Sequence, residues 1–436
     1  MRHLKIILPV LLSVLMLATA VIAYGDGKEP HDKEKKEMSS MRSEHMEMKA
    51  DDPADFIRYT SLTGHDVVLG KKNPVKILEH EVITDDNGRK VKVFSLTVDD
   101  VKFEIYPGKE IAGWGFNKTI PGPTIRVTEG DRIRINMTNK TKDEHTLHIH
   151  GQRKPLNMDG VPYLGQNPVK KDETYSYEFT VMNPGTTWYH CHVDSGHHVD
   201  MGMYGAFIVD PKMKKLDYDR EYTLILDEWP SGHRHLHSGA APTEGHKDDE
   251  HGVVTEHMGT PRHGEKTMDE ISKEKMPMTE MKPETGMEMP QGEHTQGQQA
   301  AGMEMKAPQR DWYPKTYNAY KPVYDTYSIN GRSFPYTEPL MVREGEKVLI
   351  RIINVGYQEH YMHTHSHKFL VVARDGNPVK TPQLLDTVDV GPGKRADILL
   401  TADNPGVWPF HCHNLLHVAN DHIYPGGMLT FIRYVE

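Results

Sequence analysis

Short segments in which apolar and polar residues alternate recur in two regions of the chain. In the first region, residues 91–98, 101–105 and 131–137 each alternate with a period of two. This period is typical of β-strands that bury one face. Turns rich in Gly and Pro separate the segments, as in residues 115–125. The pattern predicts a β-sandwich built from many short strands.

The second region repeats the first. Residues 346–353 match the pattern of the earlier strands, and residues 386–400 supply two further strands around a tight turn. A repeat of this length indicates a duplicated domain. We therefore predict one β-sandwich domain over residues 57–228 and a second over residues 312–436. Residues 222–226 are expected to form the last strand of the first domain.

The segments outside these domains have no apolar period. Residues 24–56 are polar with several Met, and residues 229–311 are rich in His, Met, Glu, Lys, Gly and Pro. Such compositions cannot bury a core, so they predict a flexible tail and a long disordered linker. The linker is either a plain spacer or a copper-capturing segment, because thioether and imidazole ligands suit Cu(I).

The first 23 residues predict export to the periplasm or the extracellular space. A basic start precedes an apolar run over residues 6–20, and small residues at 21–23 offer a cleavage site, as in a signal peptide. An uncleaved anchor is the alternative, although the run is short for a membrane span of about 20 residues.

The chain has 52 Lys and Arg against 62 Asp and Glu, a net charge of −10. This balance argues against a nucleic-acid partner.

Residues 188–203 carry the candidate chemistry of the first domain. His190, Cys191 and His192 are consecutive, and further His and Met residues follow. Two imidazoles, a thiolate and a weak thioether are the ligands of a blue-copper site. Because neighbouring side chains on a strand point to opposite faces, a Cys191 that binds one copper turns His190 and His192 away from it. One tripeptide then connects two metal sites.

Both domains contain this arrangement. The second copy lies at residues 408–417, and a methionine follows at position 428. Upstream of each copy stands a His-x-x-His-x-His element, at residues 145–150 and 360–365. The two cysteines of the chain each belong to one copy, so we predict no disulfide between them.

These motifs resemble those of the multicopper oxidases, in particular of two-domain members with a blue copper in each domain. The resemblance covers residues 91–228 and 315–436. It implies an all-β fold of two cupredoxin-like Greek-key β-sandwich domains, joined here by the long disordered His/Met-rich linker. The cofactor that it implies is copper, in two type 1 sites and in one trinuclear cluster of type 2 and type 3 copper for each chain.

The resemblance also implies a role for each clustered residue. The first type 1 site would be formed by His145, Cys191, His198 and Met203, and the second by His360, Cys412, His417 and Met428. The type 2 copper would be bound by His148 and His363, and the type 3 pair by His150, His190, His192, His365, His411 and His413. Unusual spacings leave three choices open, which are His197 or His198, Met201 or Met203, and whether Met428 is the second axial ligand.

An enzyme of this kind would oxidise a donor one electron at a time and reduce O2 to water with four electrons. The donor would be a phenol, an aromatic amine or a metal ion such as Cu(I). Asp159 resembles an acidic residue that the family places near its cluster, and it is either a proton relay or a turn residue before Gly160. The resemblance also implies a homotrimer in which neighbouring chains share each trinuclear cluster.

Two other functions compete with this interpretation. A copper nitrite reductase would need a single His-Cys element, and the complete second His-Cys-His at residues 411–413 argues against it. A non-catalytic copper-binding or copper-tolerance protein agrees with the linker, but it does not require eight paired histidines.

Overall fold

The computed structural model describes residues 56–72, 75–213, 216–230, 314–317 and 322–436. The described residues before 231 and after 321 belong to one compact unit. The predicted signal peptide, the tail up to residue 55 and linker residues 231–311 lie outside the described residues. In the described ranges, no helix is both long and apolar enough to cross a membrane.

Strands account for most of the regular structure. The first half of the chain forms β1 (Phe56–Thr60), β2 (Asp66–Lys71), β3 (Glu81–Thr84), β4 (Lys90–Tyr106), β5 (Lys109–Phe116), β6 (Gly122–Thr128), β7 (Arg132–Asn139), β8 (His148–Ile149), β9 (Thr174–Thr180), β10 (Gly185–His190), the helix α1 (Ser195–Asp200), β11 (Tyr204–Asp210) and β12 (Arg220–Pro230). The second half forms β13 (Tyr324–Ile329), β14 (Leu340–Val342), β15 (Lys347–Asn354), β16 (His360–Thr364), β17 (Phe369–Arg374), β18 (Asn377–Leu385), β19 (Thr387–Val390), β20 (Arg395–Thr401), β21 (Val407–Cys412) and β22 (Leu429–Tyr434). Short 3-10 helices lie at Leu156–Met158 and Leu415–Val418.

These strands build two sandwiches. The first pairs a sheet of order β6-β11-β10-β8 with a sheet of order β3-β4-β7-β9, to which β5 is added at β4. The second pairs the order β13-β12-β15-β20-β17-β18 with the order β14-β22-β21-β16-β19. The predicted all-β fold of two cupredoxin-like sandwiches is confirmed by this topology and by its solved neighbours.

The period-two pattern explains the first core. In β7, the side chains of Ile133, Ile135 and Met137 are fully buried, while Arg132 and Arg134 lie on the outer face. The two arginines form ion pairs there with a carboxylate of β9. Each buried aliphatic side chain contributes about 1.5–3 kcal/mol relative to an exposed one. A register slip of one residue would expose the apolar set, so the alternation specifies the pairing.

One predicted strand belongs to the other sandwich. Residues 222–226 were expected to close the first domain, but they form part of β12, which pairs with β13 and β15 of the second. Strand β12 also extends through Trp229 and Pro230, which the pattern assigned to the linker. The prediction was wrong because the segment is apolar on both faces and its local pattern does not specify a partner.

A buried charge network joins the two sandwiches. Arg351 of β15 donates to Asp397 at 3.2 Å and to Glu221 at 3.1 Å. The same guanidinium donates to the hydroxyl of Thr186 on β10 at 2.7 Å. Because a buried charge is tolerated only when it is paired, this network specifies how β10 lies against the second sandwich.

Candidate metal centres

The first candidate site centres on Cys191, which directly follows β10. Its Sγ lies 3.6 Å from Nδ1 of His145 and 3.2 Å from Nδ1 of His198. The two imidazole centroids are 5.0 Å apart, and all three side chains are buried. Trp114 contacts both imidazoles edge-on, with centroid distances of 5.2 and 4.8 Å. One thiol and two imidazoles therefore converge on one point.

The second candidate site has the same construction around Cys412 at the end of β21. Its Sγ lies 4.0 Å from Nδ1 of His360 and 3.6 Å from Nδ1 of His417. These two Nδ1 atoms are 3.0 Å apart. The ring of Tyr327 stacks on His417 at 4.1 Å between centroids. The three ligand atoms again lie within 4.8 Å of one another.

Met203 and Met428 occupy equivalent backbone positions beside the two groups. The N–H of Cys191 donates to the Met203 carbonyl at 3.1 Å, and the N–H of Met203 donates to the His198 carbonyl at 3.1 Å. The second repeat makes the same two hydrogen bonds, at 3.0 and 2.8 Å, among Cys412, Met428 and His417. The equivalence places each methionine next to its cysteine.

The insertion before Met428 does not displace this methionine. Asn420 and Ile423 exchange two backbone hydrogen bonds of 3.0 and 2.8 Å, which closes the inserted segment into a turn. The Asn420 side chain then accepts the N–H of Gly427 at 2.8 Å. The chain therefore resumes at Met428 in the position that Met203 has in the first repeat.

The alternatives left open in the first repeat are separated by geometry. His198 contacts the Cys191 thiol, whereas His197 directs Nδ1 toward Asp194 at 3.8 Å from its carboxylate. The N–H of Met201 donates to the His197 carbonyl at 3.0 Å at the end of α1. Met201 therefore lacks the backbone contacts that the two equivalent methionines share.

Burial shifts the pKa of three of these groups. It lowers the pKa of His145 and of His417 to about 3, so both imidazoles are neutral with a free lone pair. It also raises the pKa of the Cys191 thiol to about 12. A buried thiolate thus requires a cation to balance it. Thiolate, imidazole and thioether donors together fit copper.

Four histidines of each sandwich form a second kind of cluster. The first quartet comprises His148, His150, His190 and His192, and the second comprises His363, His365, His411 and His413. Nε2 of His150 lies 3.0 Å from Nε2 of His190, and the matching pair in the second quartet is also separated by 3.0 Å. The His148 centroid lies 5.0, 5.4 and 5.3 Å from the other three rings. For His363 the corresponding distances are 5.1, 5.6 and 5.3 Å.

Strand register brings the two halves of each quartet together. His190 of β10 pairs with His148 of β8, and His411 of β21 pairs with His363 of β16. Trp188 stacks against both His150 and His190, at centroid distances of 4.4 and 4.6 Å. The motifs that are some 40 residues apart in sequence are therefore adjacent because their strands pair.

Backbone carbonyls orient the quartet imidazoles through Nδ1. In the first quartet, Nδ1 of His148 donates to the Asp159 carbonyl and Nδ1 of His190 to the Cys191 carbonyl, both at 2.7 Å. In the second quartet the acceptors are the carbonyls of Asp386 and Cys412, at 3.0 and 2.9 Å. These bonds leave Nε2 free to bind a metal. Asp386 was not anticipated from the sequence, since it matches Asp159 in position but in no local motif.

The two quartets form separate ligand groups in the chain. Eight imidazoles are expected at one cluster, yet none of the close ligand groups in the described ranges combines histidines of the two quartets. In the single chain, His365 and His413 are exposed. Burial lowers the pKa of His150 to about 3, and it also lowers the pKa of His411. The quartets therefore offer neutral imidazoles at two separate places.

Asp159 lies beside the first quartet. Its Oδ1 is 3.4 Å from Nδ1 of His148 and 2.8 Å from Nζ of Lys154. Lys154 is buried and also donates to the Ile149 carbonyl at 2.6 Å. The carboxylate is partly exposed, so it connects the quartet with solvent.

Sequence reasoning missed the outer partners of the two Cys-centred sites. Nε2 of His145 lies 2.7 Å from the Thr141 hydroxyl, whereas Nε2 of His360 lies 3.1 Å from a carboxylate oxygen of Glu228. Glu228 is on β12, 132 residues before His360 in sequence. No motif marks it, and only the placement of β12 brings it to the site.

Comparisons with known proteins agree with this geometry. Two family models described as multicopper oxidase match residues 97–214 and 304–425. The solved multicopper oxidase mgLAC is 31% identical with a TM-score of 0.58, over 78% of this chain and 86% of that one. The blue copper oxidase from Nitrosomonas europaea is 29% identical with a TM-score of 0.58, over 78% and 85%.

A curated relative covers a smaller region. Copper resistance protein A of Escherichia coli is 38% identical over 143 residues, which are 33% of this chain. The match spans only 23% of the length of that protein.

Proposed function

This chain belongs to the multicopper oxidase family, and we propose that it couples one-electron oxidation of a donor to four-electron reduction of O2 to water. The observation that carries the proposal is a duplicated arrangement, in which one His-Cys-His segment contributes to both a Cys-centred group and a histidine quartet. Relatives of this chain are oxidoreductases that use copper, and the His and Cys groups fit that metal. Copper bound at these groups would supply one-electron redox chemistry.

The chain itself provides the connection between the two kinds of site. Cys191 is bonded through the backbone to His190 and His192. A hydrogen bond of 2.7 Å from His190 Nδ1 to the Cys191 carbonyl adds a second link. His411 makes the same contact with the carbonyl of Cys412 at 2.9 Å. An electron that enters at either cysteine therefore has a short covalent path to a quartet.

We assign the ligands as the family pattern and these contacts support. The type 1 sites are His145, Cys191, His198 and Met203, and His360, Cys412, His417 and Met428. The trinuclear cluster is bound by the first quartet of one chain and the second quartet of a neighbour, with His148 and His363 at its type 2 copper. His198 and Met203 are favoured over His197 and Met201 by their contacts with Cys191.

The working unit in this proposal is a homotrimer. Each quartet supplies half of the imidazoles that a cluster needs, and each lies apart from the other in its own chain. Joining the first sandwich of one chain to the second of the next gives a head-to-tail contact, which must close into a ring or grow without limit. The family resemblance makes this ring three-membered.

The donor in this proposal is a phenol, an aromatic amine or a metal ion such as Cu(I). The Escherichia coli relative is named for copper resistance, which favours Cu(I), as do the Met and His residues of the linker. The apolar run at residues 6–20 supports an exported protein. A nitrite reductase would need only one Cys-centred group, so the presence of two argues against it. A protein that only stores copper would not require the paired quartets.

Oxygen consumption tests this function directly. We expect copper-loaded protein to oxidise a reducing dye and Cu(I) with four electrons consumed per O2 and without accumulation of peroxide. Nitrite under anaerobic conditions is the control acceptor and should not be reduced. A fully loaded protein that consumes no oxygen would instead be a copper carrier.

We also expect Asp159 to relay protons to the cluster. Replacing Asp159 by Asn keeps the carbonyl that orients His148 and an oxygen for Lys154, but it removes a group that can carry a proton. Turnover with O2 should fall about 100-fold, the lower end of general acid–base effects, while the blue absorption stays unchanged. The measurement is steady-state oxygen uptake in H2O and D2O.

The matched control is Asp386→Asn in the second sandwich. The Asp386 carbonyl also orients a type 2 ligand, His363, but its carboxylate accepts from Thr387 at 3.1 Å. We expect a much smaller effect there. Wild-type turnover in the Asp159→Asn variant would show that this residue only shapes the turn before Gly160.

A further inference from the structure

The two Cys-centred sites differ at one outer contact. Both have a cysteine, two imidazoles bound through Nδ1 and a methionine in the same backbone position. The outer nitrogen of His145 contacts a neutral hydroxyl, that of Thr141, at 2.7 Å. The outer nitrogen of His360 contacts a carboxylate, that of Glu228, at 3.1 Å. The first site thus has a neutral partner where the second has an acidic one.

The Glu228 carboxylate is held in place on both oxygens. Its Oε1 accepts the backbone N–H groups of Tyr357 and Gln358, each at 2.5 Å. Its Oε2 faces His360, and a Cβ atom on Gly356 would come within 2.1 Å of it. The loop before β16 therefore forms a cradle that requires glycine and fits the carboxylate closely.

This carboxylate has no exposed surface. The side chains of Glu228 and His360 are both 0% exposed. Across the ranges that the structure describes, His360 is the one side chain that forms an ion pair with Glu228. Its negative charge therefore acts on this imidazole without screening by water.

Strand β12 is the origin of the asymmetry. Glu228 pairs with Tyr327 of β13, so the connecting chain carries it into the second sandwich. Thr141, by contrast, lies just after β7 in the first sandwich, where its N–H and hydroxyl contact Asn139. The acidic partner thus arises from the way the chain crosses between the sandwiches.

A carboxylate on the outer N–H of a ligating histidine fixes its tautomer and makes the imidazole a stronger donor. Stronger donation and a nearby negative charge stabilise Cu(II) more than Cu(I). We propose that Glu228 is a positioning residue that fixes His360 and makes the second type 1 site the weaker oxidant of the two. This inference rests on the proposed function, because it takes His360 as a copper ligand.

The asymmetry has a consequence for the donors that each site can use. The second site would accept electrons only from stronger reductants. The first site, with the neutral Thr141 contact, would also oxidise weaker donors such as phenols. One chain would then serve two classes of donor.

Single-site proteins test the proposal. Cys191→Ser leaves only the second type 1 site, and Cys412→Ser leaves only the first. We expect redox titration of the blue absorption to give the lower midpoint for Cys191→Ser. Equal midpoints, or the reverse order, would overturn the inference. This comparison requires no substitution of Glu228.

Replacing Glu228 by Gln in the Cys191→Ser protein should raise this midpoint. A tenfold loss of preference for Cu(II) over Cu(I) corresponds to about 59 mV for a one-electron couple. The same substitution in the Cys412→Ser protein should leave the midpoint unchanged. Thr141→Val in the Cys412→Ser protein is the matched control and should shift it less, because it removes no charge.

A measurement without copper separates the two proposals. In metal-free protein, nitrogen-15 NMR should show a proton on Nε2 of His360, and Glu228→Gln should alter that signal while the His145 signal stays unchanged. Absence of blue absorption from copper-loaded Cys191→Ser protein would overturn the proposed function and this inference together. Blue absorption with a midpoint that does not respond to Glu228→Gln would overturn this inference alone.

Discussion

A chain in which His148 and His150 are replaced by Ala loses O2 reduction by more than about 100-fold and regains part of it when reassembled with a chain that lacks His411 and His413. The loss is expected because even outer partners of metal ligands cost 10–100-fold in affinity or activity. The recovery is expected because, in the proposed trimer, each cluster takes its two quartets from neighbouring chains.

Ring geometry sets the size of the recovery. Every mixed trimer contains one junction at which an intact first quartet meets an intact second quartet, whereas unmixed trimers contain none. Random mixing in equal amounts should therefore restore roughly a quarter of the wild-type sites in a closed ring of three. Activity and copper content are measured after reassembly, with native mass spectrometry to verify that the chains have mixed.

A chain with all four substitutions, mixed with either double variant, is the control. It should restore nothing, because no junction then receives two intact quartets. Mixed trimers of the two double variants without any recovery would contradict sharing between chains. A protein that is monomeric in light scattering, with full copper content and normal turnover, would also contradict it.

Replacing Cys191 or Cys412 by Ser removes one blue-copper component and leaves the other. The two Cys-centred groups are built from separate strands and share no ligand, so each should keep its own absorption and electron paramagnetic resonance signal. We expect about half of the blue absorption to remain in either single variant and none in the double variant, because only the thiolate-bound site gives this band.

Methionine variants are the matched controls. Met203→Leu and Met428→Leu should each shift one component, whereas Met201→Leu should leave both unchanged. A folded single cysteine variant that loses all blue colour would show that the two sites are not independent. A shift caused by Met201→Leu instead of Met203→Leu would move the axial role to Met201.

Much of the fold was accessible from the sequence because strand signals are local. The alternation in residues 131–137 predicts β7, and the structure buries Ile133 and Ile135 as expected. The duplicated motifs also predicted two equivalent halves, and β10 and β21 carry them in matching positions. The placement of β12 was not accessible, since an apolar strand can pair in either sandwich.

The sequence likewise predicted only part of the candidate site. The clustered histidines and both cysteines were found from motif spacing, because alternation along one strand already separates Cys191 from His190 and His192. Spacing could not decide between His197 and His198. The turn of α1 distinguishes the two residues by directing the His198 imidazole toward Cys191 and the His197 imidazole toward Asp194.

The sequence by itself determined the all-β duplication and the residue types available at each metal site, since both follow from short-range periodicity and ligand chemistry. Only the tertiary structure decided that β12 crosses into the second sandwich, and with it that Glu228 contacts His360. The physical reason is that the first kind of information is local in the chain and the second is not. A strand pattern specifies which face is buried, whereas the partner of a buried carboxylate 132 residues away depends on how whole sheets pack.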